Sequence, residues 1–229
     1  QPSVVYKNLA LVVVDEQHRF GVEQRLSLMK KSNDRNTVPH QLIMTATPIP
    51  RTLAMTAYGD LDASIITELP KGRGNIKTIV VPEEKRSKVM DKISKECALG
   101  RQSYWVCPLI EESEELNFQA AESTYVFLQE KLKRLSIGLV HGKLSSVKKI
   151  KAMENFINGN TNILVATTVI EVGVDVANSS VMVIENAERL GLTQLHQLRG
   201  RIGRGRHESI CILLYKKPLS LVAKERLAV

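Results

Sequence analysis

Residues 11–21 read LVVVDEQHRFG, so that four consecutive apolar residues lead directly into two acids. An uninterrupted apolar run of this kind is typical of a strand that is covered on both faces of a parallel sheet. In doubly wound α/β sheets, ligands bind just beyond the carboxyl ends of the strands. Asp15 and Glu16 are therefore candidate site residues, although this stretch taken alone is more often a strand that ends in a solvated acidic turn.

Similar apolar runs recur along the chain and alternate with segments of helical periodicity. We predict strands at residues 9–14, 41–44, 77–81, 104–106, 137–140, 163–166, 181–184 and 210–215. We predict helices at residues 84–99, 114–132 and 145–158. Strands separated by such helices indicate right-handed βαβ units, and therefore an α/β fold in which a parallel sheet is flanked by helices. Residues 68–75, ELPKGRGN, read as a linker rich in glycine, proline and basic residues.

The composition is that of a globular protein with a basic surface. Lys and Arg number 32 and Asp and Glu number 24, which gives a net charge of +8. This charge suggests an anionic partner such as nucleic acid, but a basic surface without a partner explains it about equally well. Aromatic residues make up only 4 %, which argues against a broad base-stacking surface. The three cysteines form no Cys-x-x-Cys pair, so we expect reduced thiols and no zinc site. No apolar run approaches the ~20 residues that cross a bilayer.

A second candidate position follows the next predicted strand. Residues 42–52 read LIMTATPIPRT, and the two prolines prevent a regular helix directly after the strand. The hydroxyls of Thr45 and Thr47 are suited to hydrogen-bond a neighbouring acidic turn and to respond to its ligand. An ordinary turn explains this stretch equally well on its own, but its position one strand after Asp15 and Glu16 favours the functional interpretation.

A third candidate position is the basic, glycine-rich stretch QLHQLRGRIGRG at residues 194–205. Arg201 and Arg204 stand three residues apart among three glycines, which allow the backbone to approach a ligand closely. Paired guanidinium groups bind phosphate oxygens bidentately and can stabilise the charge on a γ-phosphoryl group in transfer. A loop that binds any polyanion, or nothing, is the alternative.

Together these motifs resemble superfamily 2 helicases of the DExH type, and the resemblance covers nearly the whole chain. It is carried by the residues 15–25, 41–73, 104–122 and 166–205. The match is strongest to the bacterial members that remodel branched DNA. Related bacterial translocases of transcription-coupled repair usually read DEEHRFG at the first motif and lack the LIEESEEL segment found here. The resemblance implies RecA-like lobes of the P-loop NTPase type. Residues 1–70 would be the C-terminal part of the first lobe, and residues 71–229 a nearly complete second lobe.

The resemblance also implies a role for each motif residue. Asp15 would hold Mg²⁺ through water, Glu16 would act as the catalytic base, and Arg201 and Arg204 would stabilise the transferred phosphoryl group, with Arg204 as the arginine finger. Further nucleotide contacts are implied for His18, Gly173, Asp175 and Gln197. Coupling of hydrolysis to DNA movement is implied for Gln17, His18, Thr45 and Thr47. Contacts to the DNA backbone are implied for His141, Gly142, Lys143, Thr167 and Thr168.

No phosphate loop is present in the 229 residues. That loop requires four residues between its glycines and a Ser or Thr after its lysine. Here Gly138 and Gly142 enclose three residues, and Leu144 follows Lys143. In the family the loop precedes the DExH motif, so we expect the chain to be a fragment that lacks the start of the first lobe and the N-terminal wedge domain. We expect this fragment alone not to hydrolyse ATP.

The function that the resemblance implies is an ATP-dependent DNA helicase that remodels replication forks and Holliday junctions in recombination and repair. ATP and Mg²⁺ would be its cofactors, and branched duplex DNA would be bound mainly through phosphates. We expect a monomeric parent protein in the bacterial cytoplasm, with no membrane partner. Two alternatives stay open: a catalytically silent nucleic-acid-binding or docking module, and a translocase that displaces RNA polymerase.

Overall fold

A computed structural model of the chain describes residues 4–16, 20–31, 38–45, 62–68, 74–109, 113–167, 176–205 and 208–228. The chain divides into two compact units, Gln1–Ile66 and Thr67–Val229. The predicted division lies after residue 70, a few residues further along the chain. None of the helices within the described residues is long and apolar enough to span a membrane.

The first unit contains a parallel two-stranded sheet. Strands β1 (Leu11–Val14) and β2 (His40–Ile43) pair in parallel, with Leu11 opposite His40 and Val14 opposite Ile43. Helix α1 (Val22–Met29) lies between them in the sequence. The main-chain N–H of Gly21 donates a 3.1 Å hydrogen bond to Oε1 of Gln24, which satisfies a donor at the helix start.

Burial along β1 corrects one expectation from the sequence. Val12 and Val14 are buried, whereas Leu11 and Val13 are about half exposed, at 54 % and 50 %. The strand is therefore covered on one face only by the described residues, although its apolar run predicts cover on both faces. Alternate side chains of a strand point to opposite faces, and no described layer of the first unit packs on the second face.

The second unit is built on a six-stranded parallel sheet in the order β3-β8-β7-β4-β6-β5. Every neighbouring pair in this sheet is parallel. Its strands are β3 (Ile76–Pro82), β4 (Gln102–Val106), β5 (Ile137–Val140), β6 (Ile163–Ala166), β7 (Ser179–Ile184) and β8 (Ser209–Tyr215). The predicted α/β fold with a parallel sheet is confirmed.

Helices cover both faces of this sheet. They are α2 (Arg86–Ala98), α3 (Glu114–Lys131), α4 (Ser146–Ile157), α5 (Leu192–Arg199) and α6 (Leu221–Ala228), with short 3-10 turns at Glu83–Lys85 and Ala187–Arg189. One apolar core joins α2 and α3 to the face that carries Trp105. A second core joins α4, α5 and α6 to the face that carries Tyr104. The ring of Tyr104 lies 4.9 Å from that of Phe156 on α4, centroid to centroid.

The four central strands are almost fully buried, as their continuous apolar runs predict. Strands β5 and β6 have the predicted bounds, whereas β4, β7 and β8 begin one or two residues earlier than predicted. The extra residues are buried and polar: Gln102, Ser103, Ser179, Ser180 and Ser209. The side-chain Nε2 of Gln102, for example, donates hydrogen bonds to the carbonyl oxygens of Phe156 and Thr161 at 2.6 and 2.8 Å.

The three predicted helices are present with small changes at their ends. The first begins as a 3-10 turn, Glu83–Lys85, before α2. Helices α3 and α4 end one residue earlier than predicted, and Ser145 caps α4 by accepting a 3.4 Å hydrogen bond from the N–H of Lys148. Helices α1, α5 and α6 were not predicted.

Candidate functional site

The acidic pair Asp15 and Glu16 follows β1 directly, at the carboxyl end of the strand. The backbone of Glu16 is in the left-handed region, with φ 52°. Its main-chain N–H donates a 2.8 Å hydrogen bond to Oδ1 of Asp15. A residue other than glycine adopts this conformation at some cost, and such positions cluster at functional sites. The sharp turn places an exposed carboxylate, that of Asp15, at the edge of the sheet.

Thr45 lies at the same edge of the same small sheet. Val14 and Ile43 are register partners, and the N–H of Met44 donates a 2.8 Å hydrogen bond to the carbonyl of Val14. The residues directly after both strands therefore leave the sheet side by side. Gln17, His18 and Thr47 lie outside the described residues.

The donor set at this edge is suited to a magnesium ion that keeps most of its water. No group of three or more His, Cys, Asp or Glu side chains that could hold a metal is present among the described residues. A single exposed carboxylate matches the way Mg²⁺ is held in nucleotide sites, through one or two carboxylates, water and substrate phosphates. Asp15 fits that description, and a closed protein cage is not needed.

The arginine-bearing segment of the second unit follows α5. The N–H of Gly191 donates a 3.0 Å hydrogen bond to Oε1 of Gln194, and Leu195 and Leu198 anchor the helix in the core. Gln197 and Arg201 are half-buried, whereas Arg204 is exposed. The Nε of Arg204 donates a 3.4 Å hydrogen bond to the carbonyl of Gly200. We call residues 200–205 the arginine loop.

Two glycines of the arginine loop leave no room for a side chain. Gly203 has φ +79°, and a β-carbon there would lie 2.7 Å from Cγ1 of Ile76. A β-carbon on Gly205 would lie 2.3 Å from the carbonyl oxygen of Ala177. Ile202, directly before Gly203, is fully buried. The loop is thus held by close packing at Gly203 and Gly205 and by the buried side chain of Ile202.

The residues implied in DNA contact are split between the surface and the interior. Gly142 and Lys143 follow β5 and are exposed, and Nζ of Lys143 lies 3.1 Å from Oε1 of Glu115. His141 is buried, with 1 % of its surface exposed, and its ring centroid lies 5.2 Å from that of Phe118. Burial lowers the pKa of His141 below its ordinary value, although the carboxylate of Glu122, 3.3 Å from Nε2, acts in the opposite direction.

Thr167 follows β6 and is enclosed completely. Its N–H donates a 3.2 Å hydrogen bond to the carbonyl of Val140, and its hydroxyl has no hydrogen-bond partner among the described residues. Among the implied backbone contacts that the structure describes, Gly142 and Lys143 are exposed to solvent, whereas His141 and Thr167 are buried. Thr168, Gly173 and Asp175 fall outside the residues that the structure describes.

A partly buried charged cluster was missed in the sequence. Glu185 follows β7, and its carboxylate accepts hydrogen bonds from the guanidinium of Arg86 and, at 2.7 Å, from Nε1 of Trp105. Burial raises the pKa of Glu185 above the ordinary carboxyl value, against the effects of Arg86 and Trp105. An acid directly after a buried strand is the same signal that marks Asp15, and it could have identified this position.

The fold and the motif positions define a RecA-like helicase lobe. The profile of the helicase conserved C-terminal domain matches residues 81–206, and the chain belongs to that family.

Over its whole length the chain is similar to RecG proteins. It is 58% identical over 230 residues to the ATP-dependent DNA helicase RecG of Escherichia coli (strain K12). The aligned region covers 100% of this chain and 33% of that protein. For the RecG of Bacillus subtilis (strain 168) the identity is 49% with the same coverage. The chain thus spans about a third of the length of these curated relatives.

Solved structures show the same likeness. The structure of RecG bound to a three-way DNA junction matches with a TM-score of 0.73 and 42% identity, over 97% of this chain and 28% of that chain. Saccharomyces cerevisiae Dbp5 bound to RNA and ADP BeF3 matches with a TM-score of 0.64 at 14% identity, over 97% of this chain and 56% of that chain. The second likeness is one of fold alone.

Proposed function

We propose that the chain is part of the motor of an ATP-dependent DNA helicase that remodels branched DNA, such as forks and Holliday junctions. The observation that carries this proposal is the 58% identity to the RecG of Escherichia coli across the whole chain. The solved RecG structure with a three-way junction supports a branched DNA substrate. We infer that the parent protein acts as a monomer in the bacterial cytoplasm; the bacterial DNA helicases among its relatives support the bacterial setting.

On the nucleotide side, we propose that Asp15 holds Mg²⁺ through water and that Glu16 accepts the proton of the attacking water. When bound, the ion would neutralise charge on the β- and γ-phosphates of ATP. The left-handed turn at Glu16 supports this assignment, because it fixes two adjacent carboxylates in one compact turn. Thr45, at the same edge, would respond to the nucleotide bound at Asp15 and Glu16. Together with Gln17, His18 and Thr47, it would couple ATP hydrolysis to DNA movement.

We propose that Arg201 and Arg204 act on the γ-phosphoryl group of the same nucleotide, with Arg204 as the finger. The packing of Gly203 and Gly205 supports this role, because a rigid loop holds a guanidinium in place without reorganisation during the reaction. Gln197, half-buried on α5, would contact the nucleotide beside them. Gly173 and Asp175 are further proposed contacts.

On the DNA side, we propose that the backbone of Gly142 and the ammonium of Lys143 contact phosphates. Lys143 is exposed, and its partner Glu115 is exposed as well, so a phosphate can replace that carboxylate at little cost. His141 would act from the interior by setting the path of the Gly142 backbone, and Thr167 and Thr168 by shaping the neighbouring strand end. Such contacts give salt-sensitive binding that depends little on sequence.

The test uses the full-length protein that contains this chain. We expect ATP hydrolysis that requires Mg²⁺ and is stimulated more strongly by a three-way junction than by linear duplex, together with unwinding of the junction. A polypeptide of residues 1–229 alone should not hydrolyse ATP, because no stretch of it has the spacing of a phosphate loop.

Three results would assign the protein differently. Absence of ATP hydrolysis by the full-length protein on any DNA would favour a silent binding or docking module. Displacement of a stalled RNA polymerase without junction unwinding would favour a transcription-repair translocase. Equal stimulation by linear duplex and junction would contradict a preference for branched DNA.

A further inference from the structure

The start of β3 is attached directly to the arginine loop. The N–H of Gly74 donates a 3.1 Å hydrogen bond to the carbonyl of Gly203. One residue later, the carbonyl of Asn75 accepts a 3.2 Å hydrogen bond from the N–H of Ser209. Ile76 then opens β3 opposite Ser209. Gly74, near the end of the predicted linker, is therefore bonded to the loop that carries Arg201 and Arg204.

The side chain of Ile76 occupies the space that a side chain at position 203 would need. A β-carbon on Gly203 would lie 2.7 Å from Cγ1 and 2.9 Å from Cδ1 of Ile76, and 3.4 Å from the carbonyl oxygen of Gly74. β-Carbons do not approach other heavy atoms to within 3.0 Å, so the two contacts with Ile76 would force a shift, whereas the contact with Gly74 is an ordinary one. Because Gly203 also has φ +79°, glycine is required twice, for its conformation and for its contact with Ile76.

Ile76 also links the loop to the core beneath it. It packs against the apolar cluster that contains Leu198 of α5 and Ile202 of the loop. Both residues are almost completely buried, at 2 % and 0 %. Truncation of Ile76 would leave a cavity beneath the loop, and neighbouring atoms would relax into it only in part.

We infer that Ile76 is a positioning residue for the arginine loop. It holds Gly203 in its left-handed conformation and thereby sets where the guanidinium groups of Arg201 and Arg204 lie. Gly74 and Ile76, where the chain enters β3, contact the loop through one hydrogen bond and one packed side chain. The inference rests on the proposed role of the two arginines in ATP hydrolysis.

The test compares Ile76→Ala with Ile79→Ala in the full-length protein. Ile79 lies on the same strand, is half-buried like Ile76, and packs on the core of the opposite face. Both changes remove the same atoms from β3, so their effects on thermal stability should be similar. Only Ile76→Ala should lower kcat for DNA-stimulated ATP hydrolysis, by about tenfold or more, with KM for ATP and the Kd for DNA unchanged. Ile76→Val keeps a γ-carbon against Gly203 and should restore most of the activity.

Hydrogen–deuterium exchange gives a readout that does not depend on activity. In Ile76→Ala the amides of residues 200–205 should exchange about tenfold faster than in the wild-type protein, whereas in Ile79→Ala they should not change. An equal loss of kcat in both alanine variants, or unchanged exchange in the loop of Ile76→Ala, would overturn the inference. A wild-type protein that does not hydrolyse ATP would contradict the proposed function, while the exchange experiment would still decide whether Ile76 positions the loop.

Discussion

Trp105 and Glu185 are joined by a 2.7 Å hydrogen bond from the indole Nε1 to Oε1 of the carboxylate, between neighbouring strands of the central sheet. The same carboxylate is paired with the guanidinium of Arg86. That guanidinium lies 5.2 Å from the ring centroid of Trp105 and 5.0 Å from that of Phe127. One acid, two donors and two aromatic rings thus form a single cluster that fixes α2 to the carboxyl ends of β4 and β7.

We expect Glu185→Ala to lower the free energy of unfolding by about 2 kcal/mol, because it removes the largely buried carboxylate that pairs with Arg86 and Trp105. Glu83→Ala is the matched control, since Oε1 of Glu83 lies 3.7 Å from the same guanidinium but its side chain is 40 % exposed. The control should cost about 0.5 kcal/mol or less. Urea denaturation of the two variants measures both values. Equal losses would show that the cluster does not depend on Glu185.

The acid stability of the protein should depend on Glu96, which is almost fully buried on α2. Burial acts to raise its pKa, but the hydrogen bonds and charges of Lys92 and Arg101 outweigh burial, and the pKa is lowered overall. A carboxyl group whose pKa is lower in the folded state stabilises the fold above its unfolded pKa, and loses this effect as the pH falls through the folded pKa.

Glu96→Gln should therefore be less stable than the wild-type protein at neutral pH. The difference should shrink as the pH falls below the ordinary glutamate value of about 4.3. Thermal unfolding followed from pH 7 to pH 3 tests this. Glu154→Gln, at an exposed position on α4, is the control and should show no such trend. A Glu96→Gln difference that stays constant over the whole pH range would contradict the assignment.

Glu16→Gln in the full-length protein should lower kcat for ATP hydrolysis by at least about 100-fold, because the amide cannot accept the proton of water. ATP-dependent binding of DNA should persist, since the neighbouring carboxylate of Asp15 is intact. Glu23→Gln, on the exposed side of α1, provides a control in the same unit. Steady-state hydrolysis and fluorescence anisotropy give the two measurements, and a fully active Glu16→Gln protein would exclude Glu16 as the base.

Arg204→Lys should lower kcat by about 1,000-fold, because an ammonium group does not reproduce the bidentate geometry of a guanidinium at the γ-phosphoryl group. KM for ATP should change much less, since the finger acts on charge that develops in the transition state. Arg134→Lys, at an exposed position after α3, should behave as the wild-type protein does. If Arg204→Lys changes KM alone, Arg204 binds the nucleotide but does not act as the finger.

The sequence predicted the parallel sheet well because strands that are buried on both faces consist of consecutive apolar residues, which are visible in the sequence. It did not predict the starts of β4, β7 and β8, because the residues there include polar ones that are buried only by the tertiary fold, namely Gln102, Ser103 and Ser179. The side chain of Gln102, for example, is hydrogen-bonded to carbonyl groups of distant residues. Helices α1 and α5 were missed because each is eight residues long and starts at a glycine, so the usual Ser, Thr, Asp or Asn signal is absent.

For the candidate site, the sequence indicates where some residues lie along the strands but not which distant residues they contact. The positions of Asp15 and Thr45 follow from strand order and register, both of which local patterns indicate. The burial of His141 does not, because one ring that packs on it, that of Phe118, lies on α3 more than twenty residues earlier in the chain. The contact of Gly203 with Ile76 is likewise invisible in the sequence, since more than a hundred residues separate the two positions.

The contact between Gly205 and Ala177 also bears on protein engineering. Any side chain at position 205 would meet the carbonyl oxygen of Ala177, so the backbones at the two positions constrain each other's course. Chimeras of related motors should therefore exchange residues 176–205 as a single cassette. If the sequences were joined between residues 177 and 205, the chimera would combine two backbone segments from different proteins at a contact that has no room for a change in backbone position.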